Sequence, residues 1–165
     1  MSASRASFVV RVAAPDDVDA AGAVVAAAYQ HDLQVSAGYL ERLRDAATRA
    51  AQAVLLVAAD DERVLGSVTY VPGGTAMAQL AAPGEVEVRM LGVDPSARGR
   101  GVADGLVSAC VDRARADGHV RVVLSTQPEM LVAQRLYARL GFVRQPDLDW
   151  VPEPGVVLLG YALTL

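Results

Sequence analysis

The sequence contains no lysine: all 15 basic residues among its 165 positions are arginine. A P-loop lysine, a pyridoxal phosphate Schiff base and a lysine nucleophile are therefore excluded. A single cysteine, Cys110, rules out an intrachain disulfide and a CxxC metal or redox site. With only His31 and His119 as imidazoles, no metal is expected. Positive charge is not in surplus either, and a net charge of -4 speaks against nucleic acid as a partner, because counterion release needs clustered cations. Long apolar runs are missing. No stretch reaches the roughly 18 residues of a membrane span, and the segment Phe8–Ala14 is interrupted by Arg11 and followed by Asp16 and Asp17, unlike the apolar core of a signal peptide. These absences predict a cytoplasmic protein with no membrane partner.

What is present suits one folded domain. Hydrophobic residues make up 53% of the chain and charged residues 21%, and a chain near 150 residues buries about 70% of its unfolded surface. Neither a linker nor a repeat interrupts it, so residues 1–165 are expected to form a single domain of mixed α/β class. Phe8–Ala13 reads as a strand. Pro15, Asp16 and Asp17 then start an alanine-rich helix over Val18–Tyr29. A second helix is predicted over about Ser36–Ala51, with Leu40, Leu43, Ala47 and Ala50 on its inner face. AVLLVAADD from Ala53 and RVLGSVTYVP from Arg63 form a hairpin around Asp60–Arg63.

The segment Glu85–Pro95, EVEVRMLGVDP, changes phase. Val86, Val88 and Met90 alternate with Glu85, Glu87 and Arg89, after which Leu91 and Val93 continue the apolar set in the opposite phase. Either a β-bulge near Met90–Gly92 or burial on both faces accounts for this. RGRGVADGL from Arg98 leads into a helix ending near Asp117, with Leu106, Val107, Cys110 and Ala114 inward and Gly118 as terminator. HVRVVLST from His119 is a strand for the middle of a sheet. Pro128 and Glu129 open a helix that closes on RLYARLGF, with Gly141 at its end. VVLLGYALTL from Val156 is the last strand.

A strand, a turn holding Gly99 and Gly101, and a helix form a plausible phosphate cradle, since bare backbone and a helix amino terminus attract anions and Arg98 and Arg100 add charge. A dinucleotide fingerprint fits poorly, because Asp104 stands where its third glycine belongs.

Arg98, Gly101 and Ala103 in this loop, together with EVRMLGVDP from Glu87 and RLYARLGF with Ala133 four residues before Tyr137, resemble the GNAT superfamily of acyl-CoA-dependent N-acyltransferases. The resemblance is strong over Glu85–Phe142. It implies a mixed, mostly antiparallel sheet splayed between the fourth and fifth strands and flanked by about four helices. It implies acetyl-CoA as co-substrate, with Arg98, Gly99, Arg100, Gly101, Val102 and Ala103 around the pyrophosphate and the backbone of Leu91, Gly92 and Val93 along the pantetheine arm. It implies Glu87 as general base, with Glu85 or an ordered water as alternatives, and Tyr137 as the acid that protonates the departing thiolate.

This chemistry needs both proton movements. An alkyl amine with a pKa of about 10.4 is only about 0.04% neutral at pH 7, and a tyrosine with a pKa of about 10 keeps its proton there. Cys110 is expected in the core. Met130, where many members carry asparagine, and Asp104 depart from the family pattern. For the nucleotide 3'-phosphate, Arg100, Arg135 and Arg139 are the candidates. Tyr29, His31, Tyr39, Tyr70, Arg89 and Trp150 are the candidate acceptor contacts. The expected activity is acetyl transfer to a primary amine of a small molecule or peptide. A non-catalytic acyl-CoA-binding module and a protein N-terminal acetyltransferase are the alternatives, and a homodimer through the apolar carboxy-terminal strand is left open.

Overall fold

In the computed structural model, which describes residues 7–165, the order of elements is β1 (Val9–Val12), α1 (Val18–Asp32), α2 (Ala37–Arg44), α3 (Ala46–Gln52), β2 (Val54–Ala59), β3 (Val64–Pro72), β4 (Glu85–Val93), α4 (Val102–Ala116), β5 (Arg121–Thr126), α5 (Leu131–Arg139), β6 (Val143–Arg144), β7 (Trp150–Glu153) and β8 (Val156–Thr164). These residues group into two compact units. One holds the chain up to Thr69 and Met90–Ala109, the other Tyr70–Arg89 and Cys110–Leu165. β3, β4 and α4 contribute residues to both. The sheet is mixed and mostly antiparallel, with β4 and β5 as a parallel pair.

In the first unit the strands neighbour one another in the order β1-β2-β3-β4, and β1 runs antiparallel to β2 from Val9↔Ala59 to Val12↔Leu56. Pro15–Asp17 forms a 3-10 turn before α1, and the Asp17 carboxylate accepts the Ala14 N–H at 2.7 Å. Helix α1 buries Ala21, Val24, Val25 and Ala28, three and four residues apart, as one inward stripe. Gly22 lets α2 approach, because a Cβ there would meet the Arg44 carbonyl oxygen at 2.1 Å.

The single helix expected over Ser36–Ala51 is two helices, giving five among the described residues. Asp45 divides them. Its backbone leaves the helical region at ψ 65°, and its carboxylate accepts both the Thr48 N–H at 3.1 Å and the Thr48 hydroxyl at 2.7 Å. That is an N-cap, which an Asp in the middle of a pattern favours over continuing the helix. The break shifts the phase. Ala46 and Arg49 turn inward, whereas the expected Ala47 and Ala50 are exposed.

Arg49 is only 2% exposed, and it answers the cost of the break. Its guanidinium donates to the Arg42 carbonyl at 2.7 Å and the Leu43 carbonyl at 2.8 Å, acceptors at the end of α2 that have no helical donor. Arg49→Met is expected to destabilise the protein by about 2–4 kcal/mol, since each buried acceptor left unsatisfied costs about 1–3 kcal/mol. Denaturant unfolding checks this; a cost under about 0.5 kcal/mol, the range of an ordinary surface change, would contradict it.

In the second unit the order is β3-β4-β5-β8-β6, with β7 paired to β8 beside that path. The parallel ladder runs from Glu85↔Arg121 to Glu87↔Val123. The antiparallel ladder between β5 and β8 is twice as long, from Arg121↔Thr164 to Thr126↔Leu159. Gly118 and Gly141 end their helices at φ 81° and φ 93°, with return bonds from His119 N–H to the Ala114 carbonyl and from Phe142 N–H to the Tyr137 carbonyl. The short β7 lies between Pro146 and Pro154, and β6 just before them. Leu106, Val107, Cys110 and Ala114 are all fully buried, as their spacing predicts. Among the described residues no helix is long and apolar enough to cross a membrane.

Candidate functional site

Each unit carries part of the residue set singled out above. In the first unit, Met90 has φ 51°, the left-handed region, and no other non-glycine among the described residues does. A methionine gains nothing intrinsic there, so the left-handed backbone belongs to the strand, and it falls where the apolar phase set by Val86 and Val88 changes. The rival reading holds just upstream, where Val86, Glu87 and Val88 are all buried. Gly92 must lack a side chain, because a Cβ would lie 2.8 Å from the Val25 Cα of α1.

Beyond β4, the Asp94 carboxylate accepts the Ser96 N–H at 2.8 Å and an Arg63 N–H at 2.9 Å, fixing the turn Pro95–Ala97 and its buried Ala97. Gly99 and Gly101 follow, both at φ 80° with no neighbouring atom where a Cβ would project. The Gly105 N–H bonds to the Gly101 carbonyl at 3.0 Å. The amides just before it therefore open α4 without intrahelical acceptors. Positive partial charge, exposed backbone and room for a bulky anion coincide in this loop. Arg100 lies 3.5 Å from Asp60.

Arg98 is committed elsewhere. Its guanidinium donates to both carboxylate oxygens of Asp32, at 2.9 and 2.7 Å, and His31 Nδ1 sits 3.0 Å from the same carboxylate. The Arg98 hydrogen bonds hold the Asp32 carboxyl below its ordinary range, against the opposing effect of its partial burial. Nothing near Asp32 in the sequence announces this bond, which joins residues 66 positions apart.

In the second unit Glu87, on the face of β4 that also carries Glu85 and Arg89, is 2% exposed. Its Oε1 accepts three consecutive backbone N–H groups, from Gln79 at 2.8 Å, Leu80 at 2.6 Å and Ala81 at 3.1 Å. Its Oε2 faces Arg89 Nε at 3.7 Å. Arg89 in turn donates to the Met77 carbonyl at 2.8 Å, and Glu85 accepts the Ala82 N–H at 3.0 Å. Glu85 also takes a short bond from Arg121 Nε. Burial pushes the Glu85 carboxyl up, but Arg121 and the Ala82 amide together outweigh it and leave the group below its ordinary value. The alternation thus placed three charges correctly on one edge of β4, but it could not foresee that residues 77–82 cover them.

Tyr137 lies on α5 and is 6% exposed. Its ring is held between Phe142, at 5.9 Å between centroids, and Tyr161, at 6.0 Å. Burial pushes its hydroxyl well above the ordinary tyrosine value of 10, and the nearby Cys110 and Tyr161 add to the shift. Tyr161 pairs with Leu124, whereas Glu87 pairs with Val123. Alternation along β5 therefore puts Glu87 and Tyr161 on opposite faces of the sheet. Thr126, two residues from Leu124 and so on its face, is 4% exposed with a hydroxyl that has no hydrogen-bond partner. Sequence reading passed over it; a hydroxyl closing an apolar run was the available signal.

Other candidates are engaged in packing. Burial pushes the Cys110 thiol up to about 12, which removes it as a nucleophile. Tyr70 is 1% exposed and donates to Asp117 at 2.8 Å. Tyr29 and Tyr39 meet edge to face at 6.1 Å. The indole N–H of Trp150 is buried without a partner.

The sequence profile of the Acetyltransferase (GNAT) family matches residues 9–142. Mycothiol acetyltransferase of Cellulomonas flavigena is 39% identical over 103 residues, which cover 60% of this chain and 29% of that protein. N-acetylaspartate synthetase of Danio rerio is 34% identical over 71 residues, 43% of this chain and 25% of that protein. The chain thus spans less than a third of the curated relatives it matches. Among solved structures, the PaiA N-acetyltransferase of Thermoplasma acidophilum in complex with coenzyme A shares the fold at a TM-score of 0.69 and 14% identity, over 93% of this chain and 98% of that one. With that profile spanning residues 9–142, this chain belongs to the GNAT family of acetyltransferases.

Proposed function

We propose that residues 1–165 act as one domain that transfers an acetyl group from acetyl-CoA to a primary amine of a small molecule or peptide, by direct attack. The observation that carries this reading is the Gly99 and Gly101 loop, whose positive φ values and missing side chains leave bare backbone at the start of α4. The pyrophosphate would lie on the amides of residues 99–103. Arg98, its guanidinium held by Asp32, would line the loop through its backbone, Arg100 would supply positive charge at the edge, and the backbone of Leu91, Gly92 and Val93 would pair with the pantetheine arm. The relatives named for mycothiol and for N-acetylaspartate favour a small-molecule acceptor.

In the reaction the amine nitrogen bonds to the thioester carbonyl carbon and the carbon–sulfur bond breaks. Glu87 takes the proton lost from the ammonium, through Oε2, because Oε1 is already shared among three amides. Tyr137 gives its proton to the departing sulfur and recovers one from the second proton that the nitrogen sheds as the amide forms, so that the proton on Glu87 is the one released to solvent. Glu87 pairs with Val123 and Tyr137 packs on Tyr161, whose partner is Leu124, so the two groups would serve the reaction from opposite faces of the sheet. Positioning supplies much of the rate in such a ternary complex.

The test is release of free coenzyme A from acetyl-CoA against a panel of primary amines and amino-terminal peptides. Thiol release is expected only with an acceptor present. Binding of acetyl-CoA with no release across the panel would replace this reading by a non-catalytic module.

A further inference from the structure

The segment Met77–Ala82 hangs from β4 by side chains rather than by a strand ladder. Three alternate residues of β4, Glu85, Glu87 and Arg89, hold it: Glu85 takes the Ala82 amide, Glu87 takes the amides of Gln79, Leu80 and Ala81, and Arg89 holds the Met77 carbonyl. Ala81 packs with Val123 and Ala162, and Leu80 and Leu148 lie against that cluster. We propose that Met77–Ala82 is the strap that forms the acceptor-side wall of this site, and that Glu87 Oε1 and Arg89 are its positioning groups, a task separate from any proton transfer at Glu87 Oε2.

Three consecutive amides converging on one carboxylate oxygen are an uncommon commitment. Leaving a buried carboxylate unsolvated is expensive, and here the strap supplies the solvation. Holding the strap and solvating Glu87 are one arrangement. The other carboxylate oxygen, Oε2, faces Arg89, whose guanidinium also holds the Met77 end of the strap; an amine that reaches Oε2 would do so beside residues 79–81. The position of these residues then governs how the acceptor sits, not how coenzyme A binds. This rests on the acceptor reaching Glu87, as proposed above, and the experiment separates the two.

Glu87→Gln keeps a side-chain oxygen that accepts N–H bonds but cannot take a proton at neutral pH. Glu87→Ala keeps neither property. Amide hydrogen exchange followed by NMR reads the strap directly, with the amides of Val122 and Val123 reporting that the core is folded. In Glu87→Ala the amides of Gln79, Leu80 and Ala81 are expected to exchange at least about tenfold faster than in the wild type, while Glu87→Gln stays within about threefold. The acceptor KM of Glu87→Ala is expected about tenfold above that of Glu87→Gln, at unchanged acetyl-CoA affinity.

Wild-type exchange at residues 79–81 in Glu87→Ala, or equal acceptor KM in the two variants, would overturn the strap. The proton role is read elsewhere, in the kcat of Glu87→Gln, so a fully active Glu87→Gln would remove the base while leaving the strap intact. Should Glu87→Ala fail to fold, Arg89→Met releases the Met77 end of the strap and leaves the three amides on Glu87 Oε1 in place, while also removing the cation that faces Oε2. It is expected to raise the acceptor KM several-fold at unchanged acetyl-CoA affinity, and an unchanged acceptor KM would overturn the proposal.

Discussion

Gly101→Glu is expected to abolish acetyl-CoA binding, with a loss of more than a hundredfold in affinity measured by calorimetric titration. Two unlike effects are involved, and they can be separated. Gly101 has φ 80°, so any side chain there meets left-handed strain of about 1–2 kcal/mol. No atom lies within 4 Å of the position its Cβ would take, so strain is the whole structural cost of a small residue. A carboxylate adds repulsion. Two unit charges about 5 Å apart at an effective dielectric of about 20 repel by about 3 kcal/mol, more than a hundredfold in affinity, and a pyrophosphate carries more than one. Gly101→Ala, with the strain but without the charge, is therefore expected to bind within about tenfold of the wild type. If Gly101→Ala and Gly101→Glu lose affinity equally, the loop serves only as a turn. If neither loses any, the pyrophosphate lies elsewhere and the assignment of residues 98–103 falls.

Tyr137→Phe is expected to lower kcat about a hundredfold, the lower part of the range for a positioned proton donor, with acetyl-CoA affinity changed little. The substitution is unusually clean. Tyr137 is held through its ring, against Phe142 and Tyr161, and phenylalanine keeps both contacts. Thermal unfolding should therefore barely move. The pH dependence sharpens the test. Burial holds the hydroxyl well above the ordinary value of 10; the protonated form is the donor and persists until the pH exceeds that raised value. Tyr137 should then cause no fall in kcat up to about pH 10, the ordinary tyrosine value. Full activity of Tyr137→Phe under conditions where chemistry limits the rate would show that the sulfur obtains its proton elsewhere.

How far each assignment could be read in advance depended on the range of its cause. The loop was legible because its requirements are local: Gly99 and Gly101 need positive φ, and the helix that follows supplies the dipole within a few residues. The helix ends at Gly118 and Gly141 were legible for the same reason. The bulge was half legible. The phase slip marked the place, and the backbone at Met90 is left-handed there, while burial on both faces occurs at residues 86–88. Asp45 shows the limit from the other side. Its cap pattern with Thr48 is local, but the alanine-rich run around it carried no contrast against which a break would show.

Short motifs by themselves carried the resemblance to the family and most of the order of elements, because each rests on residues a few positions apart. The tertiary structure alone decided the surroundings of the charges. It tied Arg98 to Asp32, folded residues 77–82 over Glu87 and set Glu87 and Tyr161 on opposite faces. Those arrangements depend on which distant backbone amide or carboxylate reaches a charge first when water is excluded, and a buried charge must find such a partner wherever the chain happens to bring one.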